Sequence, residues 1–289
     1  MSFFLPIYAV AFSHGVRIED LYDVANPETM SDSSLMTNVR AKCPLVHLIT
    51  NYVTVNDCAN VAICAGGSPI MTDEVKDVVD ISRIASAVVL NMGTLNVRTV
   101  EAMLLAGKIA NENDVPVIFD PVGAGASKYR NEVADRILKK VKVAVIKGNG
   151  GEIGFLSGVG GEVKGVDSVS TSNEVAAVET LARKYGCVVA MSGKTDYVSD
   201  GKKTVKLSNG HDLMGCVSGT GCMLSAVVGC YVGANGASVE SVSSAITAFS
   251  LAGEIAGAES DGPGTFKPKM LDALFNLTEG QFDSMKKVE

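Results

Sequence analysis

From residue 43 onward the chain alternates short β-branched and aliphatic runs with segments of helical period. The apolar runs at 45–50, 68–71, 87–91, 115–119, 143–147 and 187–192 have strand length and end in Asn, Gly, Asp or Pro. Helical stretches lie between them near 53–65, 75–85, 97–113, 129–140 and 173–185. Strict alternation leaves few solutions, chiefly a mostly parallel sheet with helices on both faces. Apolar residues make up 47% of the chain, enough for a sizeable core, but aromatics are only 6%. With 30 glycines as well, the core is expected to be closely packed Ala, Val, Ile and Leu.

After residue 192 the pattern changes. TDYVSDGKKTVKLSNG places an Asp200-Gly201 turn between two alternating runs, which predicts an antiparallel hairpin at the sheet edge. A glycine-rich turn follows (Ser218, Gly219, Thr220, Gly221), opening into a small-residue helix from Cys222, a second helix near 239–256 and a C-terminal helical segment. No linker or repeat interrupts this, so 41–289 is expected to form one domain. Residues 1–40 differ, with mixed polarity, Pro27 and SDSSLM, and are expected to be a disordered or loosely docked extension. The apolar run from Phe3 to Phe12 is not preceded by Lys or Arg and is too short to span a bilayer.

A net charge of −7 argues against nucleic acid or an anionic membrane as the main partner. The seven cysteines are odd in number and show no CxxC or Cys/His metal spacing. They are expected to be reduced thiols of a cytoplasmic protein.

In open parallel sheets ligands bind beyond the carboxyl ends of the strands. Special residues of this chain fall there: Thr50-Asn51, Pro69 to Met71, Asn91 to Thr94, Asp120 to Gly125, Lys147-Gly148-Asn149 with Glu152, and Ser192-Gly193. Strand termination accounts for Asn91 and Gly93. It accounts poorly for Asp120, Lys147 and Glu152, which cost desolvation unless paired or ligating a cation. Two carboxylates and an Asn suit Mg²⁺ held with a phosphate, and Lys147 suits the phosphate as a point charge. The turn at 218–221 delivers backbone N–H groups to a helix start, where an anion is favoured, although such a turn is also common without a ligand. Neither GxxxxGK[ST] nor a GxGxxG after the first strand is present, which weighs against P-loop and dinucleotide-binding readings.

The stretches LVHLITNYVTVNDCAN (45–60), GGSPIM (66–71), LNMGTLN (90–96), DPVGAGASKYR (120–130), IKGNGGEI (146–153), SGKTDYVSDG (192–201) and SGTGCMLS (218–225) carry a specific resemblance. Together they resemble the hydroxyethylthiazole kinase family, whose members have the ribokinase-like fold. The resemblance implies an α/β three-layer sandwich and ATP-dependent phosphorylation of the alcohol of 4-methyl-5-(2-hydroxyethyl)thiazole in thiamine salvage. It implies substrate contacts at Met71, Gly219 and Asn51, and ATP contacts at Lys147, Ser192 and Asn149, where the family commonly shows Arg and Thr at the first two. Asp120 and Glu152 resemble the acidic residues of the Mg²⁺ and phosphate region. A homotrimer with active sites between subunits is likewise implied by the resemblance.

Ribokinase relatives generally place Asp at the position of Cys222 as base for the acceptor alcohol; this chain, like the family it resembles, has a thiol. A helix start lowers a thiol pKa, so Cys222 is expected to be partly thiolate and to act as base, with Gly219, Thr220 and Gly221 as the anion hole. Two other functions stay open: the NAD(P)H-hydrate dehydratase of the same fold, and a weakly catalytic protein that binds a thiamine precursor.

Overall fold

The computed structural model describes residues 32–159 and 171–289. Eight strands form one sheet: β1 (Leu45–Ile49), β2 (Ser68–Ile70), β3 (Ala87–Asn91), β4 (Val117–Asp120), β5 (Val145–Asn149), β6 (Val188–Ser192), β7 (Asp196–Ser199) and β8 (Thr204–Leu207), in the order β2-β1-β3-β4-β5-β6-β7-β8. The first six are parallel, and β7 and β8 add the expected antiparallel hairpin at the edge. From β1 the chain steps outward to β2, then returns past β1 to β3. The strand order therefore reverses between β1 and β3, and such a reversal opens a crevice at the carboxyl edge. In register, Asn91 lies opposite Asp120, and Asn149 opposite Ser192.

The helices are α1 (Asp32–Lys42), α2 (Val55–Cys64), α3 (Val75–Ile84), α4 (Val97–Glu112), α5 (Lys128–Lys140), α6 (Gly150–Ser157), α7 (Thr171–Tyr185), α8 (Thr220–Asn235), α9 (Val239–Ala258), α10 (Pro263–Asn276) and α11 (Glu279–Met285). On one face Val88, Leu90, Val117 and Phe119 pack with Val100 and Met103 of α4 and Val133 and Ile137 of α5. On the other, α8 presses so closely that a Cβ at Gly229 would stand 2.7 Å from Val89 Cγ2 and 2.9 Å from Val46 Cγ1. Small residues are what let this helix lie against the strands, and its close seat brings its N-terminus to the rim.

Two elements differ from the sequence-based expectation. Residues 32–40 were placed in the extension, yet they form most of α1, which buries Leu35, Met36 and Val39. Its Arg40 donates to the carbonyls of Leu274, Phe275 and Leu277, and Lys42 to that of Ala234, so two cations satisfy helix-end carbonyls. The described fold thus includes α1 from Asp32, and the apolar run 3–12 lies outside the described residues. Helix α6 was also unanticipated, because Gly150 and Gly151 are poor helix formers. Asn149 and Glu152 start it with a capping box, each side chain accepting from the other's backbone N–H.

His47 of β1 is fully buried, with Nε2 3.0 Å from the Thr72 carbonyl and Nδ1 3.0 Å from Ser82 Oγ. Because a carbonyl only accepts, Nε2 carries the proton and Nδ1 accepts from the serine. Burial lowers the His47 pKa, against an upward pull from Thr72 and Asp77. Unfolded, the ring takes a proton near pH 6.5; folded, it does so only at lower pH. In that window the unfolded chain binds more protons, so stability is lost as pH falls below about 6.5. His47→Gln is expected to flatten this slope. Urea midpoints from about pH 7.5 to about pH 5.5 should fall less for the variant than for the wild type.

Candidate active site

Asp120, at the end of β4, is 1% exposed. Its Oδ2 accepts from Asn91 Nδ2 at 2.6 Å and from Ser225 Oγ at 2.7 Å. Burial raises its pKa, while Lys147 and the two hydrogen bonds pull it down. Glu152 is buried as well, with Oε1 accepting from Gly123 N at 2.8 Å and Oε2 from Asn149 N at 2.7 Å. Its pKa is also raised, first by burial and then by the neighbouring charge of Asp120. Among the described residues no group of three or more His, Cys, Asp or Glu side chains forms a metal cage.

Lys147 is 3% exposed, and its Nζ donates to the Gly221 carbonyl at 2.9 Å. In this state the ammonium ties β5 to the start of α8 instead of standing free at the surface. Asn149, expected to face a nucleotide, uses its side chain to cap α6, accepting from Glu152 N at 2.9 Å. Ser192 Oγ donates to the Gly148 carbonyl at 3.4 Å and lies on the wall of a cavity of about 690 Å³. Thr220 and Gly221 line the same cavity, along with Asp196, His211, Leu224 and Phe249. Asp196 is pushed up to about 6 by burial.

A second cavity, of about 310 Å³, is lined by Asn51 and Met71 together with Thr72, Thr94, Asn96 and Arg98. The two expected substrate-side residues are thus brought together. Asn51 donates to Cys222 Sγ at 3.3 Å, and Gly221, the next residue in the chain, lines the larger cavity. Cys222 is thus bonded to a residue of the smaller cavity and adjoins in sequence a residue of the larger.

Two expectations at this helix start need correction. Cys222 was expected to have a lowered pKa, but its pKa is raised, first by burial and then by the charge of Asp120. Those effects outweigh the downward pull of Asn91, Asn51 and Lys147. Gly219 was expected to clear space for an anion. It is instead the N-cap of α8 at φ 86°, and a Cβ there would lie 2.1 Å from Thr54 Cγ2. Its need for glycine comes from a left-handed backbone and from Thr54. It offers no side-chain cap, so the first amides of α8 are left for another acceptor.

Sequence reasoning missed Ser225 and Arg130 and assigned Asn91 to strand termination. Arg130 of α5 donates to the carbonyls of Met92, Gly93 and Val122, clamping the loops after β3 and β4. The signal for Ser225 was available, as a polar residue in an apolar run one turn beyond Gly221. Arg130 lies on a helix with exposed charged neighbours and gave no such sign.

A doubly wound sheet with one cavity at the start of α8 and a second along its carboxyl edge is the architecture of ribokinase-like small-molecule kinases. A ribokinase-like superfamily protein from Enterococcus faecalis superposes with a TM-score of 0.61 at 11% identity, covering 86% of this chain and 96% of that one. The model of the hydroxyethylthiazole kinase family matches residues 36–280, and the chain belongs to that family. The hydroxyethylthiazole kinase of Clostridium beijerinckii is 45% identical over 92% of this chain and 99% of its own length. That of Methanocella arvoryzae is 49% identical over 87% and 95% respectively. The solved hydroxyethylthiazole kinase structure from Pyrococcus horikoshii OT3 has a TM-score of 0.83 at 39% identity, covering 89% of this chain and 98% of that one.

Gly219→Ala is expected to cost about 1–3 kcal/mol from strain at positive φ and the collision with Thr54. Adding Thr54→Ser removes the colliding methyl and should recover part of the loss. Denaturant midpoints of the single and double variants measure this. An equal loss in both would assign the effect to the backbone alone.

Proposed function

We propose that this protein transfers the γ-phosphoryl group of ATP to the primary alcohol of 4-methyl-5-(2-hydroxyethyl)thiazole in thiamine salvage. The position of Cys222, bonded to Asn51 of the smaller cavity and next to Gly221 of the larger, carries this proposal. The cavity of about 310 Å³ suits a small heteroaromatic alcohol, with Met71 against the ring and Asn51 on the polar side. The cavity of about 690 Å³ suits the nucleotide, with Ser192 on its wall and Asn149 at the neighbouring strand end. Family membership supports both the reaction and the donor.

Phosphoryl transfer depends mainly on positioning and charge stabilisation. The uncapped amides of Thr220, Gly221 and Cys222 supply donors and the positive end of α8 for the phosphoryl oxygens. Lys147 holds the Gly221 carbonyl and so fixes the direction of that turn. Cys222 acts as the base that takes the alcohol proton, a role worth about 10² to 10⁴ in rate. Its raised pKa means that the thiol is mostly protonated before substrate arrives, which limits its contribution.

Mg²⁺ fits the acidic residues as a phosphate-bound cation and does not need a closed cage. Both hydrogen bonds to Asp120 fall on Oδ2, leaving Oδ1, and each Glu152 oxygen accepts one backbone amide and retains a second acceptor position. Two buried carboxylates raised by burial favour binding a cation that restores their charge. When bound, Mg²⁺ would neutralise phosphate charge.

The homotrimer with sites between subunits is part of the same proposal. Tyr52 and Val55, which are 79% and 41% exposed, line the smaller cavity and leave apolar surface there for a neighbouring subunit. A cytoplasmic location agrees with seven free thiols, and no helix among the described residues is long and apolar enough to cross a membrane.

ATP consumption is expected to depend on the thiazole alcohol in a coupled assay with that alcohol, pyridoxal and hydrated NADH as competing substrates. Turnover of hydrated NADH alone would establish the dehydratase, and no turnover would indicate a binding protein. Cys222→Asp is expected to match or exceed wild-type kcat, because a carboxylate is ionised at neutral pH while a thiol mostly is not. Cys222→Ala should lose about 10² or more. A Cys222→Asp enzyme no faster than Cys222→Ala would remove the base role.

A further inference from the structure

Asn91 is 2% exposed and sits where the side chains of Asp120, Asn51 and Cys222 converge. Two backbone N–H groups fix the direction of the hydrogen-bond chain that runs through it. Gly93 N donates to Asn91 Oδ1 at 2.9 Å, and a backbone N–H can only donate, so this end of the amide must be the oxygen. The Asn91 Nδ2 end then faces Asp120. Val53 N donates to Asn51 Oδ1 at 3.2 Å and fixes that amide in the same way, with Thr54 Oγ1 donating to the same oxygen at 3.2 Å. The Asn51 nitrogen is left facing two acceptors, Asn91 Oδ1 at 2.9 Å and Cys222 Sγ at 3.3 Å.

We propose that Asn91 is a positioning residue for the reaction: its Oδ1 holds the Asn51 amide so that a donor always faces the Cys222 sulfur. With that lone pair engaged, the thiol directs its own hydrogen away from Asn51. Without Asn91 the Asn51 nitrogen loses one of its two acceptors, and only the bonds from Val53 N and Thr54 Oγ1 to its oxygen hold the amide, so the nitrogen is directed less firmly at the sulfur. The sulfur would then have a weaker hydrogen bond from Asn51 and would lose the direct pull of Asn91 itself, both of which favour its thiolate form. Burial makes the effect larger, because no water need replace the lost partner.

This inference rests on Cys222 lying at the reacting centre, and its test has a readout that does not depend on turnover. Asn91→Leu keeps the volume and removes both amide functions. Asn91→Ser is a milder variant whose hydroxyl is too short to span from Asp120 to Asn51. Each is compared with the wild type for folding, for kcat and KM in the thiazole alcohol assay, and for iodoacetamide alkylation followed at single cysteines by tandem mass spectrometry. Exposed Cys43 and Cys216 serve as internal standards. Alkylation of Cys222 is expected to slow about three- to tenfold relative to those standards, the size of one lost hydrogen bond. A similar fall in kcat is expected, with KM for ATP within about twofold of wild type. Unchanged relative alkylation in either folded variant would overturn the positioning role, whatever happens to kcat. A wild type that never phosphorylates the alcohol would refute the functional proposal, while the alkylation rates would still decide the role of Asn91.

Discussion

Asp120 is a carboxylate taken almost completely out of water, and much of the carboxyl rim is arranged around the need to satisfy it. Asn91 from the neighbouring strand and Ser225 from α8 donate to the same oxygen, and the ammonium of Lys147 lies close enough to pull its pKa down. These contacts join β3, β4, β5 and α8 through polar groups that exclude most alternative packings. A buried carboxylate left with one missing donor would be costly, so this region is held in one arrangement.

The close seat of α8 is the second constraint. Small residues along its inner side let the helix approach the sheet, where Val46 and Val89 meet Gly229. That approach sets the height at which the helix begins, and hence where Gly219 turns, where the free amides point and how Cys222 comes beside Asn51. The helix N-terminus therefore serves the site because of packing along the four turns that follow it. Arg130 acts on the opposite side, holding the loops after β3 and β4 by three carbonyls.

The alternation of strands and helices was legible because each element declares its own period, and β3 was found at its true bounds. Element α6 was hidden by its two glycines, although the Asn149–Glu152 capping box was readable. Element α1 was hidden because its apolar residues Leu35, Met36 and Val39 lie among serines, and only a partner surface makes that face apolar enough to bind. Among site residues, Asp120 and Glu152 stood out as charges in apolar surroundings, and Met71 and Asn51 through the family resemblance.

By itself the sequence determined the layer architecture, the rim on which the polar residues gather, and the family, because these depend on local periodicity and on residue types at strand ends. The tertiary structure alone decided what each polar group faces. It placed Thr54 where a Cβ of Gly219 would fall, turned Lys147 onto a carbonyl, and raised the pKa of Cys222 where the helix start by itself would lower it. The physical reason is that burial and hydrogen-bond partners come from segments distant in the chain, such as Asn51 and Cys222, 171 residues apart. No local pattern encodes the desolvation or the direction of a donor that such a meeting creates.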